Sequence, residues 1–230
     1  MNENLWMENA EQTDVMEPTA FAERKLFPVE HALLLGKYLP ILFWIIIATA
    51  VVGLVTNRTG GVLNAVKLLT QSAATGWVML KLSRVHSGYR LAGILDIAGG
   101  VIGFITELVP TDRSSAGLLI LLLLPSLAIT FIAMYQEYNA HADVMEHTDG
   151  EFADKWRALW KWTIGLLIGL VPCLVLVAVA AGFGLLVMLL DAIGLVVTAV
   201  LYAVYLWRMA KRFRTEELSA EEVTFHETTL

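Results

Sequence analysis

The amino-acid sequence predicts an all-α, polytopic membrane protein, a helical bundle of six transmembrane helices arranged as three hairpins with both termini in the cytoplasm. Apolar and aromatic residues make up 57% of the 230 residues and charged residues only 17%, whereas soluble domains are apolar at about half of their positions or fewer. The apolar residues also form blocks of about 20 residues, the length that crosses a bilayer. The placement of lysine and arginine predicts the orientation.

Composition excludes several classes of protein. The hydrophobic blocks are incompatible with a disordered chain, a collagen-like fibre or an ordinary soluble enzyme. The net charge of −6 argues against a nucleic-acid partner. The one cysteine, Cys173, lies inside an apolar block, so no intrachain disulfide forms, and we expect neither a metal nor a cofactor.

The chain divides into two tails and a membrane domain. Residues 1–37 are interpreted as an acidic cytoplasmic tail with a juxtamembrane segment rather than a signal peptide, because the first 23 residues contain acidic but no basic side chains. Residues 38–207 form the six-span membrane domain, and residues 208–230 form a second cytoplasmic tail. The predicted spans lie near 38–56, 61–80, 91–109, 116–135, 163–181 and 185–207, with a cytoplasmic loop at 136–162.

The last two spans come from one apolar stretch, Thr163–Trp207, which is too long for a single helix crossing. We predict that it breaks at Ala180–Gly184, because glycine ends helices and permits tight turns. Pro125 and Pro172 lie near the middle of their spans. They predict helix kinks, with a substrate gate as the alternative.

Basic residues divide unequally between the two sides of the six-span model. Thirteen lie on the side assigned to the cytoplasm, and only Arg58 and Arg113 lie on the other. The thirteen are Arg24, Lys25, Lys37, Lys81, Arg84, Arg90, Lys155, Arg157, Lys161, Arg208, Lys211, Arg212 and Arg214. Because positive residues concentrate in the cytoplasm, this division favours six spans over a rival in which Gly61–Leu80 lies on the membrane surface and the amino terminus is outside.

Five polar residues within the predicted spans are candidate functional groups, because such residues are costly in a bilayer. They are Asn64, Lys67, Gln71, Asp96 and Asp191. The first three share one face of the second helix, and this polar stripe should face the bundle interior. Lys67 and Asp191 lie at similar depth, which predicts that they pair directly; the alternatives are that each side chain snorkels, or that Asp191 is protonated.

Two pairs of glycines four residues apart predict close helix packing. They are Gly99 with Gly103 and Gly165 with Gly169. Small residues at this spacing let helix backbones approach in lipid. The expected role is packing alone.

The segment 136–162 contains acidic residues and histidines, followed by tryptophans. Glu137, His141, Asp143, Glu146 and His147 lack the spacing of a metal motif, so we interpret them as a solvated acidic linker. Thr148–Glu151 has capping-box spacing and predicts a helix start. Trp156, Trp160 and Trp162 predict an interfacial anchor at the headgroups, with a recognition surface for a partner as the alternative.

No catalytic motif is present, and the spacing of Asp96 and Asp191 does not suit a shared-proton protease dyad. We therefore expect a non-enzymatic membrane module or subunit in the plasma (inner) membrane, of bacterial origin, that acts through lipid or membrane-protein partners. The alternative is a carrier or channel for a small solute or ion that uses the intramembrane polar residues. The sequence leaves the oligomeric state open.

Overall fold

The computed structural model describes residues 28–56, 61–110 and 116–228, and within these ranges every regular element is an α-helix. The helices are α1 (Val29–Thr56), α2 (Val62–Leu82), α3 (Ser87–Leu108), α4 (Ala116–Glu146), α5 (Gly150–Val179) and α6 (Ala181–Thr228). All except α2 are long and apolar enough to cross a membrane. The predicted all-α, multi-pass class is confirmed.

The six helices form a closed ring. Each helix packs on the helices that precede and follow it in sequence, and α6 completes the ring by packing on α1. Neighbours run antiparallel. Between α5 and α6, for example, contacts pass from Asp149 with Arg212, through Gly169 with Asp191, to Val177 with Gly184. The short connections between antiparallel neighbours give the three hairpins expected from the sequence.

The α2 helix lies along α3. Gly76 contacts Gly93, Ser72 contacts Gly100 and Leu68 approaches Gly103, so the two helices stay in antiparallel register over most of their length. The 21 residues of α2 extend about 31 Å at 1.5 Å per residue, enough to cross a hydrocarbon core of about 30 Å. Because α2 follows α3 so closely, its packing favours a sixth span over a helix on the membrane surface.

Glycines make this close contact possible. A Cβ on Gly93 would lie 2.7 Å from the Gly76 carbonyl oxygen, and one on Gly100 would overlap the Ser72 side chain. The glycines singled out by spacing are less tightly packed. Gly99 and Gly103 would make only ordinary contacts, at 3.5 and 3.9 Å, and Gly169 would meet Asp191 at 3.2 Å.

Among the described residues, no atom of a neighbouring element lies within 4 Å of a Cβ built on Gly165, so these residues do not give it the predicted packing role. The spacing of Gly165 and Gly169 defines a shared helix face. It does not define how close a neighbouring helix comes to that face, and α6 approaches α5 at Gly169 but not at Gly165.

Most of the buried core lies at one end of the ring. We call the end containing Ser83, His86 and residues 147–149 the packed end, and the opposite end, with the turn at Ala180, the far end. The largest fully buried side chains belong to the packed end, among them Leu35, Leu39, Met79, Leu82, Tyr89, His141, Met145, Trp156, Leu206 and Phe213. Toward the far end, apolar side chains such as Leu121 and Val179 are exposed on the outside of the ring, as lipid-facing residues of a membrane bundle are.

Several predicted boundaries at the packed end are wrong. The expected cytoplasmic loop 136–162 does not exist as a loop, because α4 continues to Glu146 and α5 begins at Gly150. The last part of the expected tail 1–37 also belongs to a helix, since Val29 begins α1 and Leu35 is part of the core. In each case the helix extends past the apolar block and buries its polar extension against neighbouring helices.

The predicted starts and breaks of the last hairpin are confirmed. The cap of α5 is Asp149, which accepts a 3.0 Å hydrogen bond from the Phe152 backbone N–H. This bond and the Arg212 guanidinium lower the pKa of the Asp149 carboxyl, so the stabilisation is present at neutral pH and is lost as the pH falls through that lowered value. At the far end, Ala180 separates α5 from α6, and a Cβ on Gly184 would overlap the Val177 backbone.

We predict that Gly100→Ala destabilises the protein by about 1–3 kcal/mol, the usual cost of overpacking. Gly165→Ala is the matched control, because its new methyl group meets open space and alanine favours the helix by up to about 1 kcal/mol. The measurement is thermal unfolding of both variants in detergent. Equal midpoints for the two variants would contradict the α2–α3 contact described above.

Candidate functional site

A cavity of about 290 Å³ with polar groups in its lining lies open between α1, α2, α3, α4 and α6. Its polar lining consists of Gln71, Ser72, Thr75, Asp96, Glu137, Tyr138 and Tyr202. Two of these side chains are carboxylates, and no lysine or arginine lines the cavity within the described residues. Because ionisable groups inside a membrane are rare and usually functional, this cavity is the candidate site.

The α2–α3 contact brings the two polar walls together. On α3, Tyr89, Gly93, Asp96 and Gly100 lie on one face, since they are spaced by four, three and four residues. Gly93 and Gly100 admit the α2 backbone, and Asp96 lies between them. The Asp96 carboxylate therefore faces the same cavity as the hydroxyl and amide side chains of α2.

Glu137 on α4 is the most connected group of the cavity. It accepts a hydrogen bond from the Tyr202 hydroxyl of α6. Its Oε1 also lies 3.8 Å from Nε2 of His141, one helical turn away. The Glu137 side chain is only 14% exposed, so this carboxylate joins the cavity to the buried interior of the packed end.

His141 is completely buried beneath the cavity. Its Nδ1 hydrogen-bonds to the Tyr89 hydroxyl at 2.8 Å, and within the part of the chain that the structure describes its Nε2 has no hydrogen-bond partner. The Trp156 ring lies beside the imidazole, with centroids 4.6 Å apart and planes at 33°. A buried polar atom without a partner is costly, so Nε2 is a feature that a purely structural role leaves unexplained.

Aromatic rings form a packed layer between the cavity and the packed end. Trp156 contacts Tyr138, Phe152, Tyr202 and Tyr205, with ring centroids between 5.5 and 6.5 Å apart. Edge-to-face arrangements dominate, as expected for packed aromatic side chains. This layer closes the cavity toward the packed end.

Ion pairs lie on the outer surface of this aromatic layer. Arg157 contacts Asp143 at 3.3 Å and Glu146 at 2.5 Å, and His86 lies 3.5 Å from Asp143. These side chains are about a third or more exposed, so each pair contributes little to stability. Their main consequence is that Arg157 is engaged with surface acids and forms no ion pair with the cavity carboxylates in the described chain.

Two further spaces adjoin the cavity. A groove of about 390 Å³ between α1 and α2 includes Lys67 and shares Gln71 with the cavity. An apolar space of about 260 Å³ among α4, α5 and α6 shares Met134 and Tyr138 with it. The ring therefore holds an acidic centre with a mainly apolar space on either side.

The structure brings together only some of the predicted intramembrane candidates. Gln71 and Asp96 line the cavity, whereas Lys67 lies in the adjoining groove. The third residue of the predicted polar stripe, Asn64, lines neither space and is partly exposed. Asp191 lines neither the cavity nor the groove. It lies on α6 against α5, where its Oδ1 is 3.2 Å from the position of a Cβ on Gly169.

The predicted direct pairing of Lys67 with Asp191 is wrong in this structure. No ion pair joins them among the described residues, and Oδ2 of Asp191 is buried without a partner. The reason is the ring order. In the ring α1 lies between α2 and α6, so similar depth in the membrane does not bring the two helices into contact.

The interfacial anchor predicted at the tryptophans is wrong for Trp156. That side chain is 0% exposed, Trp160 is partly buried beside Tyr135 and Tyr138, and only Trp162 is largely exposed at 69%. The four-residue spacing correctly gave Trp156 and Trp160 a shared face. That face packs against α4 and α6, both of which extend far enough to cover it.

Sequence reasoning placed Glu137 and His141 in a solvated linker, and this interpretation is also wrong. The signal that could have found them is the recurrence of buried residues at helical spacing through Tyr138, His141 and Met145. The residues Tyr89 and Tyr202 of the same network had no distinguishing pattern. Within the described residues, no group of three or more His, Cys, Asp or Glu side chains is arranged to hold a metal ion.

Pro125 and Pro172 are exposed within continuous helices and do not line the cavity.

Comparisons with protein-family models, with curated proteins and with solved structures found no match to this chain. Its function is therefore inferred from its own residues.

We predict that Trp156→Ala destabilises the protein by about 3–5 kcal/mol, the usual cost of truncating a buried large aromatic residue. Trp162→Ala, the matched control on the same helix, should change stability by less than about 0.5 kcal/mol, as surface substitutions do. Thermal unfolding in detergent gives both values. A larger loss for Trp162→Ala would show that the anchor interpretation was the better one.

Proposed function

We propose that this chain is a membrane carrier for a small, positively charged solute, which binds in the cavity lined by Asp96 and Glu137. The supporting observation is the pair of carboxylates facing one cavity without a lysine or arginine beside them. Two carboxylates that share a low-dielectric site repel each other. A bound cation or proton relieves that repulsion, so the cavity is built to attract positive charge.

Size and polarity narrow the class of solute. A volume of about 290 Å³ equals about ten water molecules at about 30 Å³ each, which suits a compact organic cation. Tyr138 and Tyr202 add aromatic faces to the wall, and such faces attract ammonium and guanidinium groups. Gln71, Ser72 and Thr75 supply further hydrogen-bonding groups.

The cavity makes the carrier the better proposal than a membrane module that acts only through partners. A bundle that served only as a scaffold has no need of carboxylates facing a cavity between its helices, which are costly to insert. The core lies at the packed end and the cavity lies beyond it, so the proposal places access to the cavity on the far side. The proposed role is binding and translocation, not catalysis.

We further propose that the packed end faces the cytoplasm of a bacterial cell, with the chain in its plasma membrane. Lys81, Arg84 and Arg90 lie on or beside the packed end, as do the basic residues at the start of α5 and late in α6. The two basic residues assigned to the outer side, Arg58 and Arg113, lie outside the described residues. The positive-inside rule then favours this orientation.

The test of function is uptake of radiolabelled guanidinium and choline into proteoliposomes that contain the full chain. Wild-type protein should accumulate at least one of them above protein-free vesicles, and glycerol or acetate should not accumulate. Asp96→Asn should lower uptake about tenfold or more, because a hydrogen bond to a charged group contributes about 1.5–3 kcal/mol. Asp154→Asn, which changes an exposed carboxylate on α5, is the matched control and should not alter uptake.

Two outcomes would overturn the proposal. One is that neither cation binds or enters the vesicles. The other is that glycerol and acetate enter as fast as the cations, since the acidic cavity would then provide no selectivity.

Orientation has its own prediction. In a Cys173→Ala background, Ala180→Cys should react in intact cells with a thiol reagent that cannot cross the membrane, because the Ala180 turn lies at the far end. Ser83→Cys, at the packed end, should react only after the cells are permeabilised. The reverse pattern would place the amino terminus outside.

A further inference from the structure

We propose that Glu137 pairs alternately with the cationic solute in the cavity and with protonated His141, so that one proton enters the site as each cation leaves it. This inference rests on the proposed carrier function and adds the ion that is exchanged. It starts from the position of Glu137, which belongs to both the cavity and the buried network of the packed end.

The unsatisfied nitrogen of His141 is the observation that carries the inference. Nε2 is buried, has no hydrogen-bond partner among the described residues and lies 3.8 Å from Oε1 of Glu137. That separation is too long for a hydrogen bond. A small movement of either side chain closes it, and protonated His141 would then donate from Nε2 to the carboxylate.

The surroundings of His141 are able to accommodate the extra charge. Tyr89 already holds Nδ1, and its hydroxyl oxygen accepts a hydrogen bond from Nδ1–H once the ring is doubly protonated. The Trp156 ring lies 4.6 Å away, centroid to centroid, and an aromatic face attracts a cation at that distance. Both contacts are already in place, so protonation requires no rearrangement of α3 or α5.

The charged and titratable groups around His141 lie on four helices. They are His86, Tyr89 and Asp96 of α3, Glu137, Tyr138 and Asp143 of α4, Arg157 of α5, and Tyr202 and Tyr205 of α6. Asp143 is engaged by Arg157 and His86 at the surface. Among the described residues, Glu137 is therefore the one carboxylate close enough to pair with His141.

The exchange conserves charge. When a monovalent cation occupies the cavity, it balances Glu137, His141 is neutral, and Asp96, the other carboxyl group of the cavity, keeps the same protonation state in both forms. When a proton arrives from water, an N–H bond forms at Nε2 of His141, the imidazolium pairs with Glu137, and the cation leaves. One positive charge replaces another, so the buried site never holds both, which would be costly in a low-dielectric interior.

The experiment counts protons. The full chain, in nanodiscs in weakly buffered solution with a pH-indicator dye, is mixed with guanidinium or choline while binding is followed by tryptophan fluorescence. Between about pH 5 and 8, where histidine changes charge, wild-type protein should release about one proton per cation bound, as the linkage of two competing ions requires. Over the acidic part of that range, cation affinity should fall about tenfold per pH unit, the limit for one-to-one competition.

Variants identify the group that titrates. His141→Gln should still bind the cation but release about one proton fewer per cation than the wild type, and its affinity should depend less on pH in this range. His147→Gln, which changes an exposed histidine at the end of α4, is the matched control and should behave as wild type. Should His141→Gln fail to fold, Tyr89→Phe removes the partner of Nδ1 and should shift the pH at which proton release is half-maximal.

The outcomes separate the two proposals. Cation binding without proton release in the wild type, or equal release from His141→Gln, would overturn the exchange and leave the carrier intact. If Tyr89→Phe is the variant that folds, an unchanged pH midpoint would likewise overturn it. The absence of both cation binding and uptake would overturn the carrier, and the exchange with it.

Discussion

The close approach of α2 to α3 is the contact on which the rest of the site depends. In lipid, helices gain little from burying apolar surface against one another, so small residues and backbone contacts hold them together. Gly76, Gly93 and Gly100 supply that contact, and side chains at these positions would separate the helices. Because the helices touch there, Asp96 faces the polar side chains of α2 across a shared cavity instead of facing hydrocarbon.

The two ends of the ring differ in how tightly they are filled. Aromatic and aliphatic side chains close the packed end, whereas the part of the ring beyond them retains open spaces on both sides of the acidic centre. A carrier requires this kind of asymmetry, since a site must be closed to one side of the membrane while it is open to the other. The network of Tyr89, His141, Glu137 and Tyr202 lies at the boundary between the two regions.

Asp191, like Asn64 and Lys67, is an intramembrane polar residue that does not line the proposed site. Its carboxylate lies against α5 at Gly169, with one oxygen buried and unpartnered. Its position between two helices agrees with the general rule that such groups face the protein. A Cβ at Gly169 would lie 3.2 Å from Oδ1 of Asp191, so a larger residue there would require a small shift of the carboxylate.

The sequence alone determined the helical class, the number of helices and the break before α6, because span length and hydrophobic blocks are local properties of the chain. It also identified Asp96 and Gln71, since polar residues stand out within apolar blocks. It failed where helices continue past those blocks, so Glu137, His141 and Trp156 were assigned to water or headgroups although they are buried or nearly so. Only the tertiary structure decided which helices touch. Ring order separates Lys67 from Asp191 and brings Tyr89 to His141, and the order of six packed helices depends on contacts between distant residues that no local pattern encodes.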